Sequence, residues 1–119
     1  MTDQRFPKSV RIRSQADFDR VYQNREFVAD DFLVVKGVRN GTSKTRLGLS
    51  VSKKVGNAVV RNRWKRLIRE AFRKQQNELP VGIDLVARPR KGAACDADGI
   101  FRSLKRLAQR LDKKLESDI

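Results

Sequence analysis

The sequence predicts an α/β (α+β) fold, a two-layer sandwich of a small mixed sheet and helices. Two observations lead to this prediction. Two long segments repeat apolar residues with helical spacing, and several short β-rich segments precede or separate them. The chain has 119 residues, the length of one domain with a modest core. We predict a basic flexible arm over residues 1–13 and one domain over residues 14–119, in the order α-β-β(-β)-α-β-α.

The first predicted element is a short helix that ends near Asn24. Residues 14–17 (Ser-Gln-Ala-Asp) resemble a capping box with Asp in place of Glu or Gln. Phe18, Val21 and Tyr22 follow at spacings that place them on one helical face. Phe18 and Tyr22 are either core residues or a stacking platform for unpaired bases, and the sequence leaves both readings open.

Three segments are predicted strands: residues 32–38, residues 46–52 and residues 83–87. Alternation in the second of them places leucine and valine on one face and small residues on the other. The small residues are Gly48, Ser50 and Ser52, which would let a single nucleic-acid strand lie close to the sheet.

The helix predicted over residues 59–77 separates apolar from basic residues. At about 100° per residue, its apolar side chains fall within an arc of roughly 140°. They are Val60, Trp64, Leu67, Ile68, Ala71 and Phe72. The opposite half-turn is cationic, with Arg63, Lys65, Arg66, Arg69, Arg73 and Lys74, while Arg61 lies near the apolar boundary. A last helix, over residues 97–116, carries an apolar stripe that is typical of core packing.

The charge of the chain is concentrated around this basic helix. Lysine and arginine number 28 against 14 acids, a net charge of +14. The segment from Lys36 to Lys74 holds 13 basic residues and one acid, Glu70, and so supplies +12 of that charge. An ordinary solvated helix face would intersperse acids at i, i+4. The pattern therefore favours a polyanionic partner, for which nucleic acid is the first candidate.

The loop before the basic helix is also basic. Lys53 and Lys54 precede a Gly56-Asn57 pair that can adopt positive φ. Successive N–H groups in this loop are candidates for an anion-binding nest, although such a loop is a weak signal by itself.

The sequence shows no constellation of catalytic residues. Asp30 and Asp31 are adjacent and Asp84 stands alone on a strand, so we expect solvated or capping acids. There is no histidine, and the lone Cys95 leaves neither a zinc cluster nor an internal disulfide. No apolar run approaches membrane-spanning length, and no secretory signal is evident. We expect a cytoplasmic protein without membrane contact and without a metal site of its own.

Residues 46–72 (RLGLSVSKKVGNAVVRNRWKRLIREAF) closely resemble the signature of the bacterial ribonuclease P protein subunit. Arg61-Asn62-Arg63 matches the RNR motif of that family. Asp17-Phe18 with Tyr22 resembles its first helix, and residues 83–88 resemble its last strand. Essentially the whole chain is covered by the resemblance.

The resemblance implies a fold and an activity that composition does not show. The family fold is an α/β sandwich with a left-handed βαβ crossover, like a domain of ribosomal protein S5. The family protein assembles with a catalytic RNA, and the particle removes the 5′ leader of precursor tRNA. The RNA performs the hydrolysis with Mg²⁺, so no cofactor is expected on the protein. The resemblance gives no reason to expect a DNA partner.

The resemblance also implies two sets of site residues. Contacts to the catalytic RNA carry over to Lys53, Lys54, Asn57, Arg61, Asn62, Arg63, Lys65, Arg66 and Arg69. The leader-binding cleft carries over to Phe18, Tyr22, Val34, Lys36, Ser50 and Ser52. Position 36 departs from the family, which often has an aromatic residue there. A lysine would exchange base stacking for a phosphate contact and weaken base preference in the leader.

The alternative from another class is a non-enzymatic RNA-binding module, either ribosome-associated or an RNA chaperone. Such a module explains the charge and the missing catalytic acids, but it does not predict the long signature. A duplex-DNA binder is disfavoured because no helix-turn-helix spacing or dimer seam is present.

Overall fold

The computed structural model describes residues 8–24 and 26–117. Three α-helices are present: α1 (Gln15–Gln23), α2 (Ala58–Lys74) and α3 (Ala97–Ser117). Four strands are present: β1 (Phe27–Ala29), β2 (Leu33–Arg39), β3 (Arg46–Leu49) and β4 (Ile83–Pro89). Short 3-10 helices lie at Lys8–Val10, Lys53–Val55 and Gln76–Glu78. The predicted α+β class and the order of the elements are confirmed.

The four strands form one mixed sheet in the order β1-β2-β4-β3. β2 is antiparallel to both β1 and β4, whereas β3 runs parallel to β4. Because β3 and β4 are parallel neighbours joined through α2, they form a βαβ unit. The left hand of that crossover stays a prediction.

The main core lies between one face of the sheet and the layer formed by α2 and α3. Alternate residues of the strands supply the sheet side of this core: Val28, Leu33, Val35, Leu47, Ile83, Leu85 and Ala87. The helices supply Trp64, Ile68, Phe72, Ile100, Leu104, Leu107 and Leu111. Two close approaches constrain the packing, since a Cβ on Gly37 would lie 2.7 Å from Leu111 and one on Gly99 would overlap the Phe32 ring. The side chains that point away from this core form the second face of the sheet.

Helix α1 covers part of this second face. Val21 is fully buried there with Ile12 and Val86, and Phe18 and Val38 pack against them. The helix begins as predicted, because the Ser14 hydroxyl accepts a hydrogen bond from the Asp17 N–H at 3.1 Å.

Residues 8–13 differ from the expected loose arm. Val10 and Ile12 are buried, and the Ile12 N–H donates to the Leu47 carbonyl at 3.0 Å. The physical reason is the pair of apolar side chains within this basic stretch, which closes the core beside β3. The rest of the predicted arm, residues 1–7, lies outside the described residues.

The end of β3 differs from the prediction, and β1 is a strand that the prediction did not locate. β3 ends at Leu49 instead of residue 52, because the Ser52 hydroxyl caps the next 3-10 helix by accepting from the Lys54 N–H. β1 has only three residues, too few to show an alternation of apolar side chains. Antiparallel pairing with β2 makes it a strand.

Candidate nucleic-acid interface

Helix α2 is built as a boundary between the core and a cationic surface. It begins at Asn57, whose side-chain oxygen accepts from the Val60 N–H at 3.0 Å. Trp64, Ile68, Ala71 and Phe72 are buried against α3 and the sheet. The predicted apolar stripe is therefore correct, except that Leu67 is half-buried and Val60 remains 37% exposed.

The outward face of α2 holds cations that have no carboxylate partner within residues 8–24 and 26–117. They are Arg63, Lys65, Arg66 and Arg69. Glu70, the single acid of this helix, lies 3.7 Å from Lys74 (Oε1 to Nζ), at the far end. Asn62 is exposed on the first turns. This face is therefore cationic without a neutralising carboxylate among the described residues.

Arg61 differs from the other cations of the helix. Its side chain is half-buried, and its Nε donates to the Gly56 carbonyl at 3.2 Å. Gly56 has φ +156°, and a Cβ there would lie 3.0 Å from Val60. Arg61 therefore helps to fix the loop that precedes α2.

In the loop before α2, three of the N–H groups that the sequence suggested for an anion-binding nest are already bonded within the protein. The Lys54 N–H donates to the Ser52 hydroxyl, the Val55 N–H to the Ser52 carbonyl and the Gly56 N–H to the Lys53 carbonyl. Because the 3-10 turn consumes these three donors, they are not directed at a ligand. The ammonium groups of Lys53 and Lys54, both exposed residues, are the cationic features of this loop.

The predicted cleft residues mostly share the second face of the sheet. Phe18 and Tyr22 stack with ring centroids 6.2 Å apart, and Tyr22 is 44% exposed. Phe18 lies over Gly48, where a Cβ would stand 2.8 Å from the ring. Gly48 is therefore covered by α1 instead of open to a nucleic-acid strand, and it sets how closely the helix approaches the sheet.

The strand residues of the cleft are partly as predicted. Val34 and Lys36 alternate with the core residue Val35, so they point to the face that carries Tyr22. The Ser50 N–H donates to the Ala87 carbonyl at 3.0 Å, which continues the pairing of β3 with β4. Ser52 does not belong to this face as a strand residue, because its hydroxyl caps the following 3-10 helix.

Sequence reasoning missed two residues of this face. Phe27 pairs directly with Lys36 across the β1–β2 ladder, so both side chains project to the same side. Phe27 is 52% exposed at the sheet edge. Arg88 pairs with Val34 and is exposed at the end of β4. The available signal for Phe27 was the apolar triplet Phe-Val-Ala after the first helix, too short to identify a strand.

A buried carboxylate underlies the cleft. Asp84, expected to be solvated or capping, is fully buried on the second face. Arg46 grips it with two hydrogen bonds, Nε to Oδ1 at 2.8 Å and Nη2 to Oδ2 at 2.6 Å. Arg20 of α1 donates to it at 2.7 Å and the Asn40 amide at 2.9 Å. The isolated position of Asp84 in the sequence concealed this network, because Arg46 is its neighbour only across the sheet.

The ionisation of Asp84 follows from these contacts. Burial opposes the charged form, but hydrogen bonds from Arg46, Asn40 and Arg20 outweigh it, so the pKa of Asp84 lies below its ordinary value. Asp17 of α1 lies 3.3 Å from Arg46 and 3.4 Å from Arg20. This network ties α1, which carries Phe18 and Tyr22, to β3 and β4.

Asp30 has a structural role that fits the capping expectation. Its carboxylate accepts from the Phe32 and Leu33 N–H groups, from the Ser103 hydroxyl and from Arg106. Burial raises the pKa of Asp30, but these hydrogen bonds together lower it by more than burial raises it. The pKa of Asp30 therefore lies below its usual value. Asp30 thus joins the β1–β2 turn to α3.

Two features are absent from the described residues. No group of three or more His, Cys, Asp or Glu residues in them is placed to hold a metal ion. None of the described helices is both long and apolar enough to cross a membrane.

The fold matches solved structures. The ribonuclease P protein of Staphylococcus aureus superposes with a TM-score of 0.75 at 37% identity, covering 87% of this chain and 95% of that chain. The protein from Thermotoga maritima superposes with a TM-score of 0.74 at 31% identity, covering 84% of this chain and 96% of that chain. These likenesses define the class as an α+β domain of the ribonuclease P protein type.

Sequence comparison assigns the family. The family model for ribonuclease P matches residues 6–112. The ribonuclease P protein component of Brevibacillus brevis is 41% identical over 105 residues, which are 87% of this chain and 83% of that protein. That of Caldanaerobacter subterraneus is 42% identical over 107 residues, 90% of each. The chain belongs to the bacterial ribonuclease P protein component family, and the resemblance drawn from residues 46–72 is confirmed.

Proposed function

We propose that this chain is the protein subunit of a ribonuclease P ribonucleoprotein, in which it binds the catalytic RNA and the 5′ leader of precursor tRNA. The observation that carries the proposal is the cationic face of α2, which coincides with the family signature and lacks neutralising acids among the described residues. The particle removes the leader by endonucleolytic cleavage and leaves the mature tRNA 5′ end.

The α2 face is suited to the catalytic RNA. Arginine presents a planar fork of donors that grips phosphate oxygens bidentately. Arg63 and Arg66 are exposed and three residues apart, so they lie on one side of the helix. Lys65 and Arg69 flank them, and Lys53 and Lys54 extend the surface through the loop. Each phosphate contact releases counterions, which makes assembly strongly salt-dependent.

The second face of the sheet is suited to a single-stranded leader. Tyr22, braced by Phe18, offers an exposed ring for base stacking. Lys36 stands between the Tyr22 side of the sheet and Phe27 at its edge, where its ammonium group can reach a phosphate. The leader would thus contact the Tyr22 ring on one side of Lys36 and the Phe27 ring on the other. This arrangement favours leader-bearing precursor over mature tRNA with little dependence on leader sequence.

The chain supplies binding, and the chemistry belongs to the RNA. Phosphodiester hydrolysis assisted by Mg²⁺ takes place at the RNA active site. The protein lowers the repulsion between two polyanions and raises the affinity for substrate. The lone Cys95 suits a reducing cytoplasm.

The test is cleavage of a 5′-extended precursor tRNA at low Mg²⁺. Three reactions are compared: the protein alone, a bacterial ribonuclease P RNA alone and both together. We expect cleavage to require the RNA and to be enhanced by the protein. Tight RNA binding without enhancement would indicate a general RNA-binding module instead. Cleavage by the protein alone would place an active site on this chain and contradict the proposal.

A further inference from the structure

A cavity of about 550 Å³ lies between the start of α2 and the loop that follows β4. Its lining includes the apolar residues Val60, Trp64 and Cys95 and the cationic residues Lys54, Arg88, Arg90 and Lys91. None of the described residues that line it is acidic. The cavity is therefore lined by apolar and cationic residues together, and its volume falls in the range of small-molecule sites.

Val60 is the unusual residue of this cavity. It belongs to the apolar stripe of α2, yet it remains 37% exposed while Trp64, one turn later, is 3% exposed. The described residues leave this end of the stripe partly uncovered. The open end faces the cavity, so a ligand that fills the cavity would complete the burial of Val60.

The position of the cavity indicates what the ligand is. Lys54 and Val60 belong to the loop and first turn of α2, the surface proposed above to bind the catalytic RNA. Within the described residues, Lys54 and Lys91 have no salt-bridge partner. A nucleotide has the complementary chemistry, since its base presents flat π-faces that pack on apolar side chains and its phosphate is an anion.

We infer that this cavity receives one unpaired nucleotide of the catalytic RNA, with its base against Val60 and Cys95 and its phosphate at Lys54 and Lys91. The inference rests on the proposed function and deepens it. The cationic face of α2 binds the RNA backbone at any site where the phosphates have a suitable spacing. The cavity adds recognition of an unpaired residue, which would fix the register of the RNA on the protein.

The first experiment fills the cavity with an indole. In Val60→Trp we expect affinity for the catalytic RNA to fall about tenfold, the scale of one lost base contact. The slope of log affinity against log salt should become shallower by no more than about one unit, because at most the single phosphate contact at Lys54 and Lys91 is lost. The matched control is Val81→Trp, at a 67% exposed residue of another loop, which should bind like the parent. Unchanged affinity in a folded Val60→Trp protein would overturn the inference.

The second experiment needs no substitution, so it tests whether the catalytic RNA occupies the cavity even if Val60→Trp fails to fold. Cys95 is the only cysteine, and its alkylation by iodoacetamide reports access to the cavity. We expect saturating catalytic RNA to slow alkylation about tenfold, the factor that corresponds to one base contact. Precursor tRNA without the catalytic RNA should leave the rate unchanged.

The outcomes separate this inference from the proposed function. Alkylation that is not slowed although the catalytic RNA is bound overturns the inference and leaves the proposed function intact. Protection by precursor tRNA alone assigns the cavity to the substrate and also overturns the inference. Failure of the unmodified protein to bind the catalytic RNA contradicts the proposed function itself.

Discussion

The arginines of the cleft and the arginines of α2 have opposite surroundings. On the cleft face, Arg20 and Arg46 converge on Asp84 and Asp17. On α2, Arg63 and Arg66 meet no carboxylate of the described residues. Both regions are basic in sequence, but Arg20 and Arg46 are paired with carboxylates of the protein.

This difference separates two uses of the same side chain. An arginine whose carboxylate is buried stabilises the fold, because removing either partner leaves an uncompensated charge. An arginine without a carboxylate gains its partner from outside, and phosphate fits its fork. The contrast implies that cleft arginines act on stability and α2 arginines act on RNA affinity, which substitutions can test in order of expected effect.

The largest effect is expected for Asp84→Asn. Removing the buried charge leaves Arg46 and Arg20 without their main partner, and we expect a loss of about 3 kcal/mol in the free energy of unfolding. Urea denaturation of the free protein measures it. The matched control is Asp112→Asn, which breaks the more exposed Arg39 pair (Nη1 to Oδ1, 2.7 Å) and should cost less than about 1 kcal/mol.

The pH dependence of stability gives an independent test of the same network. Because the folded pKa of Asp84 is lowered, its contribution is present above the unfolded pKa of about 3.9 and is lost as pH falls through the lower folded value. Asp30 contributes with the same sign. Stability should therefore fall below about pH 4, and less steeply in Asp84→Asn. If the free energy of unfolding falls equally steeply with pH in the parent and in the variant, the pairing does not lower the pKa of Asp84.

The next effect is expected for Gly48→Ala. The added Cβ would stand 2.8 Å from the Phe18 ring and 3.3 Å from the Ile12 Cβ, so α1 must shift. We expect a loss of about 1–3 kcal/mol in stability, together with weaker binding of precursor tRNA by the assembled particle. Adding Phe18→Leu, which makes room for the Cβ, should recover part of the stability. No recovery would mean that the Phe18 contact does not set the position of α1.

Removing two unpaired cations tests the α2 face. In Arg63→Ala/Arg66→Ala, the slope of log assembly affinity against log salt should become shallower by about two units, near one for each phosphate contact. Stability should barely change, because neither side chain has an intramolecular salt bridge among the described residues. Arg102→Ala/Lys105→Ala removes the same charge from α3. An equal change of slope in that control would show that net charge, not this face, governs assembly.

A smaller and more selective effect is expected for Lys36→Tyr. An aromatic ring beside Phe27 would add a stacking surface where the parent has a cation. We expect base preference in the leader to sharpen by about threefold, within the range of one modest stacking contact. Competition between precursors that differ only in the leader sequence measures it. Unchanged preference would place position 36 outside the leader path.

Much of the fold could be predicted because its signals are local. The Ser14 and Asn57 caps, the apolar stripe of α2 and the alternation in β2 all arise from residues close together in the chain. The family signature likewise lies in one continuous segment, and it pointed to the basic surface of α2.

The rest depends on contacts between residues distant in sequence. Asp84 looked like an isolated acid because its partner Arg46 is 38 residues away and becomes a neighbour only through the parallel β3–β4 register. Gly48 was expected to leave room for a nucleic-acid strand, because the sequence does not show that Phe18 packs on it. The cavity beside Val60 closes only when the loop after β4 returns to α2.

The most direct test of two separate surfaces uses Tyr22→Ala beside Arg63→Ala/Arg66→Ala. Two affinities are measured for each: that of the protein for the catalytic RNA, and that of the assembled particle for leader-bearing and mature tRNA. Tyr22→Ala should weaken binding of leader-bearing tRNA by about tenfold, one lost base stack, and leave mature tRNA and assembly unchanged. The arginine variant should weaken assembly and, once saturated with RNA, still prefer the leader. Equal loss for both tRNAs in Tyr22→Ala, or loss of leader preference in the arginine variant, would contradict the separation.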